Sequence, residues 1–257
     1  MELLPNPFGT YTLFRRETRR FLKVYLQTVL SPVVSNLLYL TIFGISLHRS
    51  IPNIDGITYL QFLAPGLIIM GIINNAFQNP SSSLIISKYQ NLIPDLLIIP
   101  LKRIEIFTAY IAAATLRGLM VGAITLITLI FFVDLPFASV IIIIISCLLT
   151  SLFFSFLGML TGLWAREFDH VALIQNFVLT PLSFLGGVFY PINALPETAR
   201  AISSLNPIVY MLDLIRYGFT GVHQMNIVLS ISIVTTITFI IGLATYLLLR
   251  SGWRLQT

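Results

Sequence analysis

The chain has 257 residues, 56% hydrophobic and only 10% charged, with a formal net charge of +5. A water-soluble domain keeps about 25% of its residues charged to hydrate its surface, so most of this surface faces something other than water. The basic residues stand at the ends of apolar segments, which points to membrane lipid headgroups and away from nucleic acid. Cys147 is the one cysteine, so no internal disulfide can form.

In chain order, the first distinctive stretch is 8–27. Arg15, Arg16, Arg19, Arg20 and Lys23 recur among Leu13, Phe14, Phe21, Leu22, Val24 and Tyr25. This is the pattern of a helix lying in the membrane interface; the plainer alternative is that the charges only flank the first span. The stretch lacks the roughly 7–15-residue apolar core and small-residue cleavage site of a signal peptide, so the first apolar segment is expected to act as an uncleaved anchor.

Crossing hydrocarbon as a helix takes about 20 apolar residues. Six stretches qualify: 28–47, 59–77, 106–133, 137–164, 171–190 and 227–249. Backbone groups in lipid must bond within their own segment, so each reads as helix even where Ile and Val dominate, as over 141–145. The alternating segments of about ten residues that mark a β-barrel are absent. The expected fold is all-α, one polytopic transmembrane domain over 1–257. Ser31, Ser35 and Asn36 open the first span, and Asn74 and Asn75 lie near the end of the second. Such groups either line a polar path or hold helices together.

Between spans two and three, residues 88–104 are too apolar for a solvated loop and too short to cross. Pro94 and Pro100 bracket 95–99, predicting a short helix with an acidic start. An apolar helix of this kind invites a protein partner, or lies in the interface. Arg117 is the one charge inside a span, about 20 Å beyond Arg103 at 1.5 Å per residue. Burying it at mid-bilayer costs at least about 2.5–3.5 kcal/mol. It either faces the bundle interior or, on a long helix starting outside the apolar layer, reaches back to the headgroups. Gly118 with Gly122, and Gly158 with Gly162, permit close helix approach, expected within the chain. Glu167, Asp169 and His170 read as a solvated inter-span loop.

Pro181, Gly186 and Gly187 interrupt the fifth span, so its far half is expected to be broken or re-entrant. Leu195, Ala199, Ile202 and Leu205 share one face of a short helix that Asn206 and Pro207 end. Asp213 and Arg216 stand at i, i+3, the spacing of an ion pair. With six spans both termini share a side. That side holds eleven Lys and Arg (Arg15, Arg16, Arg19, Arg20, Lys23, Lys88, Lys102, Arg103, Arg166, Arg250, Arg254) against three on the other (Arg49, Arg200, Arg216). Positive residues stay inside, so both termini are expected in the cytoplasm.

No phosphate-cradling G-x-x-x-x-G-K-[ST] motif, no H-E-x-x-H and no G-x-S-x-G occurs. His48, His170 and His223 stand in separate loops, so no metal site and no catalytic residue is assigned. An ATPase-independent secondary transporter or channel is a rival reading, weakened because no span carries a central carboxylate. A membrane-embedded enzyme is weaker still, lacking any constellation of reactive side chains.

The stretch L-T-P-L-S-F-L-G-G-V-F-Y-P-I-N-A-L-P over 179–196, then L-N-P-I-V-Y over 205–210 and Arg216, resembles the signature of the ABC type-2 permeases around their fifth span. Pro181, Gly186, Gly187, Phe189, Pro191, Leu195, Pro196, Asn206, Pro207 and Arg216 carry that resemblance. Q-F-L-A-P-G-L over 61–67 is similar to the small, short-loop YadH-like bacterial branch. The resemblance implies an exporter subunit in the bacterial inner membrane, with six spans, cytoplasmic termini and an N-terminal interfacial helix. It implies that the helix and the second cytoplasmic segment dock on a separate ATPase. The coupling residues would then be Lys88, Tyr89, Gln90, Asn91, Leu92, Ile93, Pro94, Asp95, Leu96 and Leu97. It further implies two ATPase copies carrying the ATP and Mg, no cofactor in this chain, a second permease chain as a homodimer partner, and a re-entrant extracytoplasmic element after the fifth span. It names no substrate.

Overall fold

The computed structural model describes residues 5–48, 53–54 and 56–252. Arg49 and Arg254, counted above toward orientation, lie outside the described residues. Helix α1 (Pro7–Lys23) starts at Asn6, whose side chain accepts from the Gly9 N–H, with Pro7 at the first helical position, where no N–H is needed. After one π-helical turn (Leu26–Leu30) comes α2 (Ser31–His48). A short antiparallel hairpin follows, which the sequence reading does not anticipate. Strands β1 (Asn53–Ile54) and β2 (Ile57–Thr58) pair Asn53 with Thr58 and Ile54 with Ile57.

Thr58 and Gln61 then cap α3 (Tyr59–Tyr89) reciprocally. This helix has 31 residues, about 46 Å, against about 30 Å of hydrocarbon. It runs some three turns past residue 77, where apolar content alone ends the span, and holds Pro65 and Pro80 without stopping. Short α4 (Ile93–Ile98) leads to α5 (Arg103–Ile130) and α6 (Val140–Trp164). One helical run then comprises α7 (Phe168–Ile174), a π-helical turn (Gln175–Leu179) and α8 (Thr180–Leu185). After a 3-10 turn (Ile192–Ala194) come α9 (Glu197–Ser204), α10 (Pro207–Thr220) and α11 (Ile227–Ser251).

The chain is thus an all-α polytopic membrane protein. Among the described residues, five helical stretches are long and apolar enough to cross: Leu26–Gly44, α3, α5, α6 and α11. Where the sequence places a span over 171–190, the helix ends at Leu185, because Gly187 adopts φ 84° and turns the chain aside. Outward faces of α2, α6 and α11 expose Leu38, Ile42, Ile141, Ile144, Phe239 and Leu243, as lipid contact requires.

Helix α3 is the axis. It packs on α5, α6, α10 and α2 and buries Leu63, Leu67, Ile69, Ile72, Ile73 and Phe77 completely. Hydrocarbon supplies no hydrophobic drive for helices to associate, so close backbone contact matters more. Glycines provide it. Gly158 lies so close to the Phe77 carbonyl that a Cβ would overlap it, and Gly118 sits against Ala76 and Ser151. Gly162 meets Leu84 and Ser81, so both small-residue pairs serve packing within the chain. Asn36 belongs to the same core: its amide donates to the Leu67 carbonyl (3.4 Å) and the Thr125 hydroxyl (3.3 Å).

Replacing Gly158 by Ala forces α3 and α6 apart, with an expected cost of about 1–3 kcal/mol. Gly71→Ala, with only ordinary contacts around its Cβ position, should be neutral or stabilising. Thermal unfolding of the two detergent-solubilised variants checks this; an unchanged Gly158→Ala would contradict the packing.

Candidate coupling surface and buried polar network

At one end of the bundle α1 lies along the first half of α5. The Asn6 N–H donates to Glu105 Oε1 (2.5 Å), while Glu105 Oε2 accepts from the Lys102 N–H (2.7 Å), so one carboxylate ties the starts of both helices. Further along, Arg16 donates to the Tyr110 hydroxyl (3.1 Å), and the Arg117 guanidinium stacks 5.9 Å from the centre of the Phe21 ring. The two helices therefore run side by side from Glu105 to Arg117, and the first four turns of α5 face α1.

The face that α1 turns inward is Leu13, Glu17 and Phe21, spaced i, i+4, i+8. Glu17 is 1% exposed. It accepts from Arg16 (3.0 Å), from Arg20 Nε (3.2 Å) and from the Ser83 hydroxyl of α3 (2.6 Å). Arg20 also donates to the backbone and side-chain oxygens of Asn79 (2.7 and 3.0 Å) and to the Ser82 hydroxyl (3.3 Å). Of the five basic residues that define the amphipathic stretch, Arg15, Arg16, Arg19 and Lys23 are exposed, and Arg16 and Arg20 bind the buried carboxylate. Sequence reasoning misses Glu17. Its signal is a lone acid between two arginines on the apolar stripe of a basic helix.

Arg117 is buried and faces the interior, donating to Asn75 Oδ1 (3.2 Å) and Gln78 Oε1 (3.2 Å) of α3. It does so level with Phe21, where α1 gives way to the first apolar span. Of the two alternative readings of Arg117, the interior one describes its surroundings. Asn75 and Asn74 return their amides to their own helix, to the Gly71 and Met70 carbonyls.

Beyond the end of α3 the chain turns through Gln90 and Asn91, the latter at φ 54°, a conformation asparagine tolerates. Helix α4 covers Ile93–Ile98, so Pro94 lies in its first turn, not ahead of it as the 95–99 reading supposes; it contains Asp95, Leu96 and Leu97. Ile93 is buried against Leu101 and Ile106, whereas Tyr89, Leu92, Ile98 and Ile99 are exposed. Lys88 is anchored: its ammonium donates to the Leu163 and Ala165 carbonyls (2.6 and 2.8 Å) and closes the end of α6. The Tyr89 ring meets Phe168 at the start of α7 at a tilt of 53°, beside the Arg166–His170 turn.

At the opposite end a second guanidinium is buried. Arg216 of α10 donates to the Phe62, Gly187 and Val188 carbonyls and lies 3.7 Å over the Phe62 ring. The expected Asp213–Arg216 pair does not form. Asp213 accepts instead from the Gln224 and Met225 N–H groups (2.7 and 3.2 Å), holding the turn after α10. Pro181 stands in the first turn of α8, Gly186 ends it, and Val188 backs onto Gly66. Phe189 is buried against the rings of half-buried Phe43 and exposed Phe184, and its carbonyl accepts from Tyr59. Pro191 and Pro196 open the 3-10 turn and α9. Asn206 caps α10, with Pro207 at its first position, and donates to the Leu182 carbonyl (2.7 Å). Leu195 and Ala199 are half-buried, but Ile202 (64% exposed) and Leu205 (84%) point out. The supposed apolar face of α9 is split, because Ser203 and Asn206 form the inward side.

The ABC-2 type transporter family model matches residues 9–220. The chain belongs to that family. It is 36% identical over 246 residues, 96% of both chains, to the inner membrane transport permease YadH of Escherichia coli strain K12. It is 26% identical to nodulation protein J of Rhizobium leguminosarum bv. viciae, over 93% of this chain and 92% of that one, and 24% identical to the Rhizobium meliloti protein of that name, over 88% and 87%. This is a membrane transport permease of the ABC class.

Glu17→Ala should lower stability by about 1–3 kcal/mol, the cost of leaving buried partners unpaired. Arg19→Ala, exposed and without such partners, should stay within about 0.5 kcal/mol. Melting curves in detergent, with limited proteolysis between α1 and α2, provide the comparison. A harmless Glu17→Ala contradicts the network.

Proposed function

We propose that this permease is the transmembrane subunit of an ABC exporter, coupled to a separate ATPase that docks on the α1–α4 end. The observation that carries it is the pairing, at one end, of an apolar short helix standing clear of the bundle with a basic helix bolted to α3 and α5. Ile98 is 80% exposed and Tyr89 74%, yet Ile93 and Lys88 fix the segment to the core. A surface that is exposed, apolar and rigidly mounted suits a partner that pushes. The family membership supports an ATPase partner, and the name of the Escherichia coli relative supports placement in the inner membrane.

In this reading α1, α4 and both termini are cytoplasmic. The run Phe168–Leu185 completes a sixth crossing, and the segment from Gly186 to α10 dips back into the membrane from the outside. Two permease chains pair around the path and two ATPase subunits complete the assembly. ATP and Mg stay on the ATPase. This chain receives the displacement at α4 and α1 and passes it to α3 and α5 through Glu17, Arg20 and Tyr110.

Two experiments test this. Ile98→Asp should reduce co-purification with the ATPase at least about tenfold, a loss of roughly 1.4 kcal/mol or more, while leaving melting unchanged. A variant with full complex and full coupled ATPase turnover would discard α4 as the docking surface. In a background with Cys147→Ala, Ile98→Cys should react with impermeant maleimide only from the cytoplasm, and Asn193→Cys only from outside. Labelling of both from one side would overturn the orientation.

A further inference from the structure

Between Phe62 and Ser87, every residue of α3 is buried except Met70, Asn74, Gln78, Ser82 and Ile86. These five are spaced by four and form one open line on an otherwise enclosed helix. Three of them are polar. Gln78 holds Arg117 and Ser82 holds Arg20 (3.2 and 3.3 Å), so two guanidinium groups meet the line at adjacent turns. They lie close enough to repel one another. Arg16, Arg20 and Arg117 share a single carboxylate, Glu17, because the ion pairs among the described residues are Arg16–Glu17 and Arg20–Glu17. Two positive charges are therefore left uncompensated. Beside them the Asn79 amide nitrogen and the Thr18 hydroxyl are buried without a partner.

A polar, cationic line open to acyl chains is costly, so what faces it is not lipid tail. Its depth is informative. Arg117 and Gln78 lie level with the α1–α2 junction, toward the α1 end of the apolar layer, and deeper along the same line comes apolar Met70. A ligand matched to this line carries its negative charge at the headgroup level and its apolar body farther in.

Resting on the exporter reading above, we propose that Arg20 and Arg117, with Gln78 and Asn79, form the entry site of the path and bind the phosphate of an anionic amphiphile. The site neutralises the two surplus charges and gives the orphaned Asn79 amide an acceptor. The transported molecules then belong to the class of phosphate-bearing amphiphiles drawn from the leaflet on the α1 side.

Native mass spectrometry of the purified permease, loaded with equal amounts of phosphatidic acid and phosphatidylcholine of one chain length, tests the site. Phosphatidic acid should be retained about tenfold more, the worth of one or two charge-assisted hydrogen bonds. Arg117→Gln and Arg20→Gln should each abolish the preference, Arg117→Lys should keep most of it, and exposed Arg19→Gln should change nothing. If Arg117→Gln fails to fold, Gln78→Glu gives the same readout, because it places a repelling carboxylate on the line. Equal retention of the two lipids by the wild type overturns the proposal. Displacement of phosphatidic acid by millimolar inorganic phosphate would reassign the site to a soluble anion and overturn the amphiphile. A wild-type chain that shows no lipid preference yet binds its ATPase sinks this site alone; a wild-type preference without any ATPase partner sinks the exporter reading alone.

Discussion

Hydrocarbon offers no hydrogen-bond partner, so every polar group carried into the apolar layer must be satisfied by the chain itself or by a ligand. That constraint organises this molecule at both ends. Arg216 needs acceptors, and the break after α8 supplies them: where the helix stops at Gly186, the Gly187 and Val188 carbonyls lose their helical partners and take the guanidinium instead. The break and the arginine depend on each other. Without Arg216 the freed carbonyls are orphans, and without the break the guanidinium is an unpaired buried charge. Arg117 solves the same problem with side-chain amides, which leave its charge unneutralised.

Glu17 answers the constraint differently. One carboxylate accepts from two arginines of its own helix and from Ser83 of α3, while Arg16 reaches Tyr110 of α5. Helix α1 therefore cannot slide along the bundle without breaking charge-assisted bonds in a poorly hydrated place, where they are stronger than at a surface. Leu13 and Phe21 pack above and below the carboxylate, and Glu105 clamps the start of the same helix. The result is a three-helix unit in which buried polar bonds fix α1 to both α3 and α5.

How much of this was legible in the sequence follows from which signals are local. Five of the six expected spans are membrane-length helices, because sustained apolar runs have only one stable backbone answer in lipid. Gly186 and Gly187 mark the turn correctly, since a backbone at φ 84° is written in the residue type. The length of α3 past residue 77 was not legible: Gln78, Asn79 and Ser81 look like the polar end of a span, and only the packing of α5, α6 and α1 around them shows that they are enclosed. The i, i+3 spacing of Asp213 and Arg216 misleads because spacing reports reach, and each side chain found better partners on another segment. Glu17 was hidden by its company. Five basic residues dominate the stretch, and burial of an acid on that face depends on Ser83, some 66 positions away in the chain.

Helix length joins these points. Helices α3 and α5 have 31 and 28 residues, about 46 and 42 Å, so each exceeds an apolar layer of about 30 Å by some 12–16 Å. The surplus falls at the α1 end, since α1 flanks α5 only from Glu105 to Arg117 and the first apolar span begins just beyond Lys23. These ends carry α4 between them, and Lys88 splints the end of α3 to the end of α6. With about 12 Å of surplus, Arg117, some 20 Å along its helix, lies about 8 Å inside the apolar layer on the α1 side. A helix pair cut to the width of the bilayer would leave α4 among the headgroups and Arg117 past mid-depth; the longer pair shifts both toward the α1 end.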